Sequence, residues 1–126
     1  MAVGEVLGTL FAVTVVDLPE ADLVRVARWC AQKIPERARC QVRMEHEVRG
    51  RKVTIVERRA PWDDPLADES KWTSRSVAQL RHAADGWRLY WPDSNTRWHL
   101  VGDVPAAPSV MPLLEAVDDP GRAFLG

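Results

Sequence analysis

The sequence predicts an α+β fold: a long N-terminal helix packed on an antiparallel five-stranded meander sheet, closed by a short C-terminal helix. Three observations carry that prediction. An apolar stripe recurs at helical spacing early in the chain. Period-two alternation follows in short segments. Tight-turn residues separate those segments, so consecutive strands join as neighbours and the helix stripe must cover one face of the sheet.

The helix opens at Asp17-Leu18-Pro19-Glu20, where proline suits the first turn and acidic residues favour the positive end of the dipole. Leu23, Val26, Ala27, Cys30 and Ile34 draw its apolar stripe, with Arg25, Arg28 and Gln32 off it. Pro35 ends it, because the residue before a proline is pushed out of the α region. The first strand places Cys40, Val42, Met44 and Val48 on one face and Gln41, Arg43, Glu45 and Glu47 on the other. Arg49-Gly50-Arg51-Lys52 turns tightly, with Gly50 free to take positive φ, and residues 53–58 return as the second strand.

Residues 60–70 carry Pro61, Pro65 and four acidic side chains and read as a loop. The third strand is expected over residues 74–83, the fourth over 87–91 after the Asp85-Gly86 hairpin signal, and the fifth over 96–101 after Pro92-Asp93-Ser94-Asn95. A proline-spaced linker over residues 102–108 leads to a helix near residues 109–117. There Ser109 is the expected cap and Pro112 belongs in the first turn. Asp118-Asp119-Pro120-Gly121 ends that helix, and Phe124 anchors the tail.

The chain has 126 residues, enough to bury roughly two-thirds of its unfolded surface without a covalent staple. Composition is 46% hydrophobic and 28% charged, which excludes a disordered chain. With a formal charge of −1, no global field draws it to nucleic acid or an anionic membrane, so such binding would need a local patch. Cys30 and Cys40 are too few for a disulfide framework, and both are expected to face the core as reduced thiols.

Residues 1–16 are expected to be an apolar arm or extra strand, and residues 17–126 a single α+β domain. Residues 6–16 are largely apolar, too short for a membrane span and without the basic start of a signal peptide. They are expected to add a strand, or to dock as an arm on the domain itself or on a second copy as a homodimer. A cytoplasmic location without membrane attachment follows as the default.

The run Trp87-Arg88-Leu89-Tyr90-Trp91-Pro92-Asp93-Ser94-Asn95-Thr96-Arg97-Trp98-His99 resembles the small bacterial domain-of-unknown-function family 3024. The likeness extends to Glu57-Arg58-Arg59-Ala60-Pro61-Trp62, the Trp72 region, Ser76-Val77-Ala78-Gln79-Leu80-Arg81 and the ending Phe124-Leu125-Gly126, and covers residues 18–126. Leu100, Val101 and Leu125 stand where that family commonly carries aromatics. The resemblance implies a family label and assigns no catalytic residue.

Two surfaces are candidates for binding. On the fourth and fifth strands, Trp87, Trp91 and Trp98 are expected beneath the helix. Arg88, Tyr90, Arg97 and His99 would then share the outer face with Gln79 and Arg81. Such a basic face with a stacking ring suits single-stranded nucleic acid, and its residue types equally suit a protein partner. In the loop, Arg58 and Arg59 either pair with Asp63, Asp64 or Glu69 while Trp62 plugs the sheet edge, or they hold an incoming carboxylate or phosphate.

His46, His82 and His99 lie on alternate strands without metal-ligand spacing, so no metal or other cofactor is expected. No nucleophile elbow, phosphate loop or dinucleotide fingerprint occurs. The sequence therefore points to a non-catalytic binding module. The alternative is a small phosphodiester-acting enzyme with His99 as base and Arg81 or Arg97 on phosphate.

Overall fold

The computed structural model describes residues 18–125. The arm expected over residues 6–16 lies outside them. Helix α1 runs Glu20–Lys33, with Pro19 before its first turn, Glu20 and Asp22 at the positive end and Lys33 at the negative end. It stops where Ile34 turns extended ahead of Pro35. Its buried residues are Asp22, Val26, Trp29 and Cys30. The stripe therefore sits one step from the expected one: Ala27 faces solvent, and a carboxylate and an indole take places in the core.

Five antiparallel strands follow: β1 Val42–Arg49, β2 Lys52–Arg59, β3 Thr73–Ala83, β4 Gly86–Pro92 and β5 Trp98–Leu100. They lie side by side in chain order, as the short turns require. Cys40 is exposed, against the expectation of a core thiol, because the chain is still turning there and alternation begins only at Val42. Helix α2, Met111–Asp118, has Pro112 in its first turn, as expected. Val110 rather than Ser109 holds its cap position.

Both helices cover one face of the sheet. Val26, Trp29 and Cys30 of α1, and Leu113, Leu114 and Val117 of α2, pack with Val53, Ile55, Leu80, Trp87 and Leu89. A bulge shifts the β2–β3 register between Ile55 and Val56. The extra residue lets neighbouring Val77 and Ala78 both reach the core.

Asp22 is the polar centre of this layer. It is 3% exposed. Its Oδ2 accepts from Trp87 Nε1 at 3.0 Å, and its Oδ1 accepts from Val110 N at 3.1 Å and Arg25 Nη1 at 3.0 Å. One carboxylate thus ties α1 to β4 and to the start of α2. A buried charge persists only when its lone pairs are taken up in this way. Nearby, Trp87 and Ala107 exchange backbone hydrogen bonds of 2.7 and 2.9 Å. Gly86 makes that approach possible: its φ is +119°, and a Cβ there would meet Ala107 O at 2.5 Å.

Candidate functional site

The second face of the sheet carries no α-helix among the described residues; the short 3-10 turn Glu69–Lys71 and Trp72 cover its Arg43–Arg58 end. Cross-strand register decides what it presents. Arg49 lies opposite Lys52, Lys52 opposite Arg81, and Arg81 opposite Arg88. Four cationic side chains therefore form one row across β1 to β4, spanning about 14 Å at ordinary strand spacing. Like charges placed directly opposite one another destabilise a sheet.

The adjoining row runs Glu47, Thr54, Gln79, Tyr90 and Leu100. Its centre is a built network. Gln79 Nε2 donates to Thr54 Oγ1 at 3.0 Å, Arg81 Nε donates to Gln79 Oε1 at 2.7 Å, and the Arg81 guanidinium lies 3.9 Å from the Tyr90 ring centroid. This stacking fixes the Arg81 fork over an aromatic face. Arg88 is gripped in two-point geometry by Asp85, at 2.9 and 2.6 Å, which holds the Asp85 carboxyl below its ordinary value.

The β4–β5 pairing corrects the expected faces. Tyr90 lies opposite Leu100, Trp91 opposite His99, and Pro92 opposite Trp98. Trp98 therefore shares the open face with Tyr90, and His99 belongs with Trp91 on the other side. Of the three tryptophans expected in the core, only Trp87 is sealed; Trp91 is 42% exposed. The cause is loop length. Asp93 Oδ1 accepts from Asn95 N and Arg97 N, at 2.8 and 2.9 Å, and Thr96 takes positive φ, so β5 begins at Trp98 rather than at residue 96. One residue of phase exchanges the faces. Arg97 sits in that turn, exposed and off the cation row.

His99 Nε2 lies 2.8 Å from Asp93 Oδ2, and its ring stacks on Trp91 with centroids 4.7 Å apart. The His99 hydrogen bond, helped by the amides of Arg97 and Asn95, holds the Asp93 carboxyl below its ordinary value. This pair is on the helix-side face, away from Arg81.

The loop between β2 and β3 divides the expected roles of its arginines. Arg58 Nη2 donates to Glu69 O at 2.7 Å, and Arg43 pairs with the Glu69 carboxylate at 2.7 Å. Both guanidinium groups approach the Trp72 ring, and Trp72 Nε1 donates to Ala67 O at 3.2 Å. Arg59 turns instead to Glu57, at 3.0 Å. Trp62 does not plug the edge: it is 93% exposed, beside Leu66 at 94%. Trp72, not Trp62, is the loop tryptophan that lies against the sheet, over Arg43 and Arg58.

Arg49 and Lys52 were not among the expected binding residues. Counting outward from Gly50-Arg51 pairs them, but the Lys52–Arg81 step crosses a loop whose length fixes no register.

The family model for Domain of unknown function (DUF3024) matches residues 15–126. The chain belongs to that family. No curated protein and no solved structure matches it. The DUF3024 match takes in both helices, all five strands and the cation row. Among the described residues no helix is long and apolar enough to cross a membrane.

Proposed function

We propose that this DUF3024 domain is a non-catalytic binding module whose open sheet face receives single-stranded nucleic acid. The observation that carries the reading is the row Arg49, Lys52, Arg81 and Arg88, four cations in register of which Arg88 is paired with Asp85, on a face that neither α-helix covers among the described residues. A polyanion relieves the repulsion along that row, and each phosphate bound releases condensed counterions. Tyr90 and Trp98, diagonal neighbours on adjacent strands, supply rings for sequence-tolerant base stacking.

The test is titration with single-stranded DNA and RNA oligonucleotides at low and moderate salt, read by tryptophan fluorescence. Binding is expected to weaken steeply with salt, and Lys52→Glu to flatten the log–log slope by about 0.7 for each phosphate the variant no longer neutralises. Tyr90→Ala is expected to weaken binding at every salt concentration. Absence of binding at low salt overturns the reading.

A second reading, a protein partner, rests on the exposure of Trp62 and Leu66 on a braced loop, since aromatic anchors dominate such interfaces. The phosphodiester-enzyme reading gains the His99–Asp93 pair. It loses Arg81 as its phosphate group, because that arginine lies on the opposite face of the sheet from His99.

A further inference from the structure

β3 and β4 part company within the sheet. Their ladder stops at Gln79 opposite Tyr90, although β3 continues back to Thr73 and β4 runs on to Pro92. The bulge at Val77 bends β3 away at this point. The gap opens toward the helix side as a cleft of about 440 Å³, closed across by the C-terminal tail at residues 121–124. A volume of that order is typical of small-molecule sites.

The walls differ in kind. Val77, Val101 and Phe124 make an apolar floor, all three otherwise buried. Trp91 forms a side wall, its indole backed by the stacked His99 ring. An indole left 42% exposed on the core-facing side of a sheet is unspent stacking surface.

Arg75 and Arg122 supply the charged part of the lining. Arg122 is committed: Asp103 holds it at 2.8 and 3.1 Å, and Asp119 lies 3.7 Å away. Arg75 is loosely held, reaching Glu57 and Phe124 O only at 3.5 Å each. Glu57 is shared between Arg59 and Arg75, so that trio keeps one positive charge in excess. A guanidinium with spare donors matches a carboxylate in two-point geometry.

We propose that this cleft binds a small aromatic carboxylate, its ring against Trp91 and its anionic end on Arg75. This site is separate from the open face: Trp91 and Arg75 lie on the helix side of their strands, whereas Tyr90 and Arg81 lie on the other.

The probe is 2-naphthoate, with neutral 2-naphthalenemethanol as its isostere, followed by amide chemical shifts of the full chain. Saturable shifts at Ser76, Val77, Trp91, Val101 and Phe124 are expected. Removing the charge-assisted hydrogen bonds, in Arg75→Gln or with the neutral isostere, should weaken binding about tenfold. Trp91→Phe, which keeps an apolar ring, should retain weakened binding. Matching far-UV circular dichroism establishes that both variants fold. Absence of saturation, equal binding of acid and alcohol, or shifts centred on Tyr90 and Arg81 overturns the proposal. Oligonucleotide binding is unaffected by any of these outcomes, so the two sites stand or fall separately.

Discussion

The two faces of this sheet are made from the same strands, one residue out of step, and they handle polar groups in opposite ways. On the helix side, Leu80 and Leu89 sit between buried neighbours, and the one buried carboxylate among the described residues, Asp22, has a donor for each oxygen. On the other side, the next residues along are Arg81 and Arg88, lined up with Lys52 and Arg49, and of these four Arg88 has the Asp85 carboxylate to offset the repulsion. The first arrangement minimises the folding free energy; the second opposes it. On the proposed reading, stability and recognition fall to different faces, and substitutions should separate them.

The largest effect is expected at Asp22. Asp22→Ala leaves the Trp87 indole and the Val110 amide buried without an acceptor, a loss of about 3 kcal/mol at ordinary costs per unpaired group. Denaturant unfolding measures it; a change under about 1 kcal/mol, the size of an ordinary surface substitution, would mean that water replaces the carboxylate. Lys52→Glu should do the reverse. Placing an anion between Arg49 and Arg81 should stabilise the domain by about 0.5–1 kcal/mol at low salt, even as oligonucleotide binding falls. A fold that loses stability with this change would break the comparison.

The smallest effect is expected at Glu57. Burial works to raise this carboxyl, but hydrogen bonds and charges from Arg59 and Arg75 hold it below its ordinary 4.5. A depressed folded value stabilises the domain above the ordinary glutamate range, and that contribution is lost as pH falls through the lowered value. Both arginines are well exposed, so screening keeps the amount under about 1 kcal/mol. Melting temperatures of Glu57→Gln against the parent between pH 3 and 7 should converge at the acid end.

The element order was readable in the sequence because each boundary carries a local signal: Pro19 and Pro35 around α1, Gly50 and Gly86 at the tight turns, and Pro112 at the head of α2. What escaped depends on partners far along the chain. Asp22 looks like a first-turn acid until Trp87 and Val110 are placed beside it. Trp98 and His99 change faces with one residue of turn length. Trp62 and Trp72 are equivalent as loop tryptophans, and only the Arg43–Glu69–Arg58 cluster decides which one lies down. The expected outer face was correct for Arg81, Arg88 and Tyr90, where Asp85-Gly86 fixes the register locally, and wrong for Arg97 and His99 beyond the next turn.

Asp22 meets partners 65 and 88 residues away in the chain. Closing spans of that length costs chain entropy before any interaction repays it. The carboxylate is therefore expected to act as a late latch, set after the hairpins have zipped together. Weakening it should shorten the lifetime of the native state while leaving the speed of refolding nearly as it was, so the residence time of the folded molecule is governed from the first turn of its first helix.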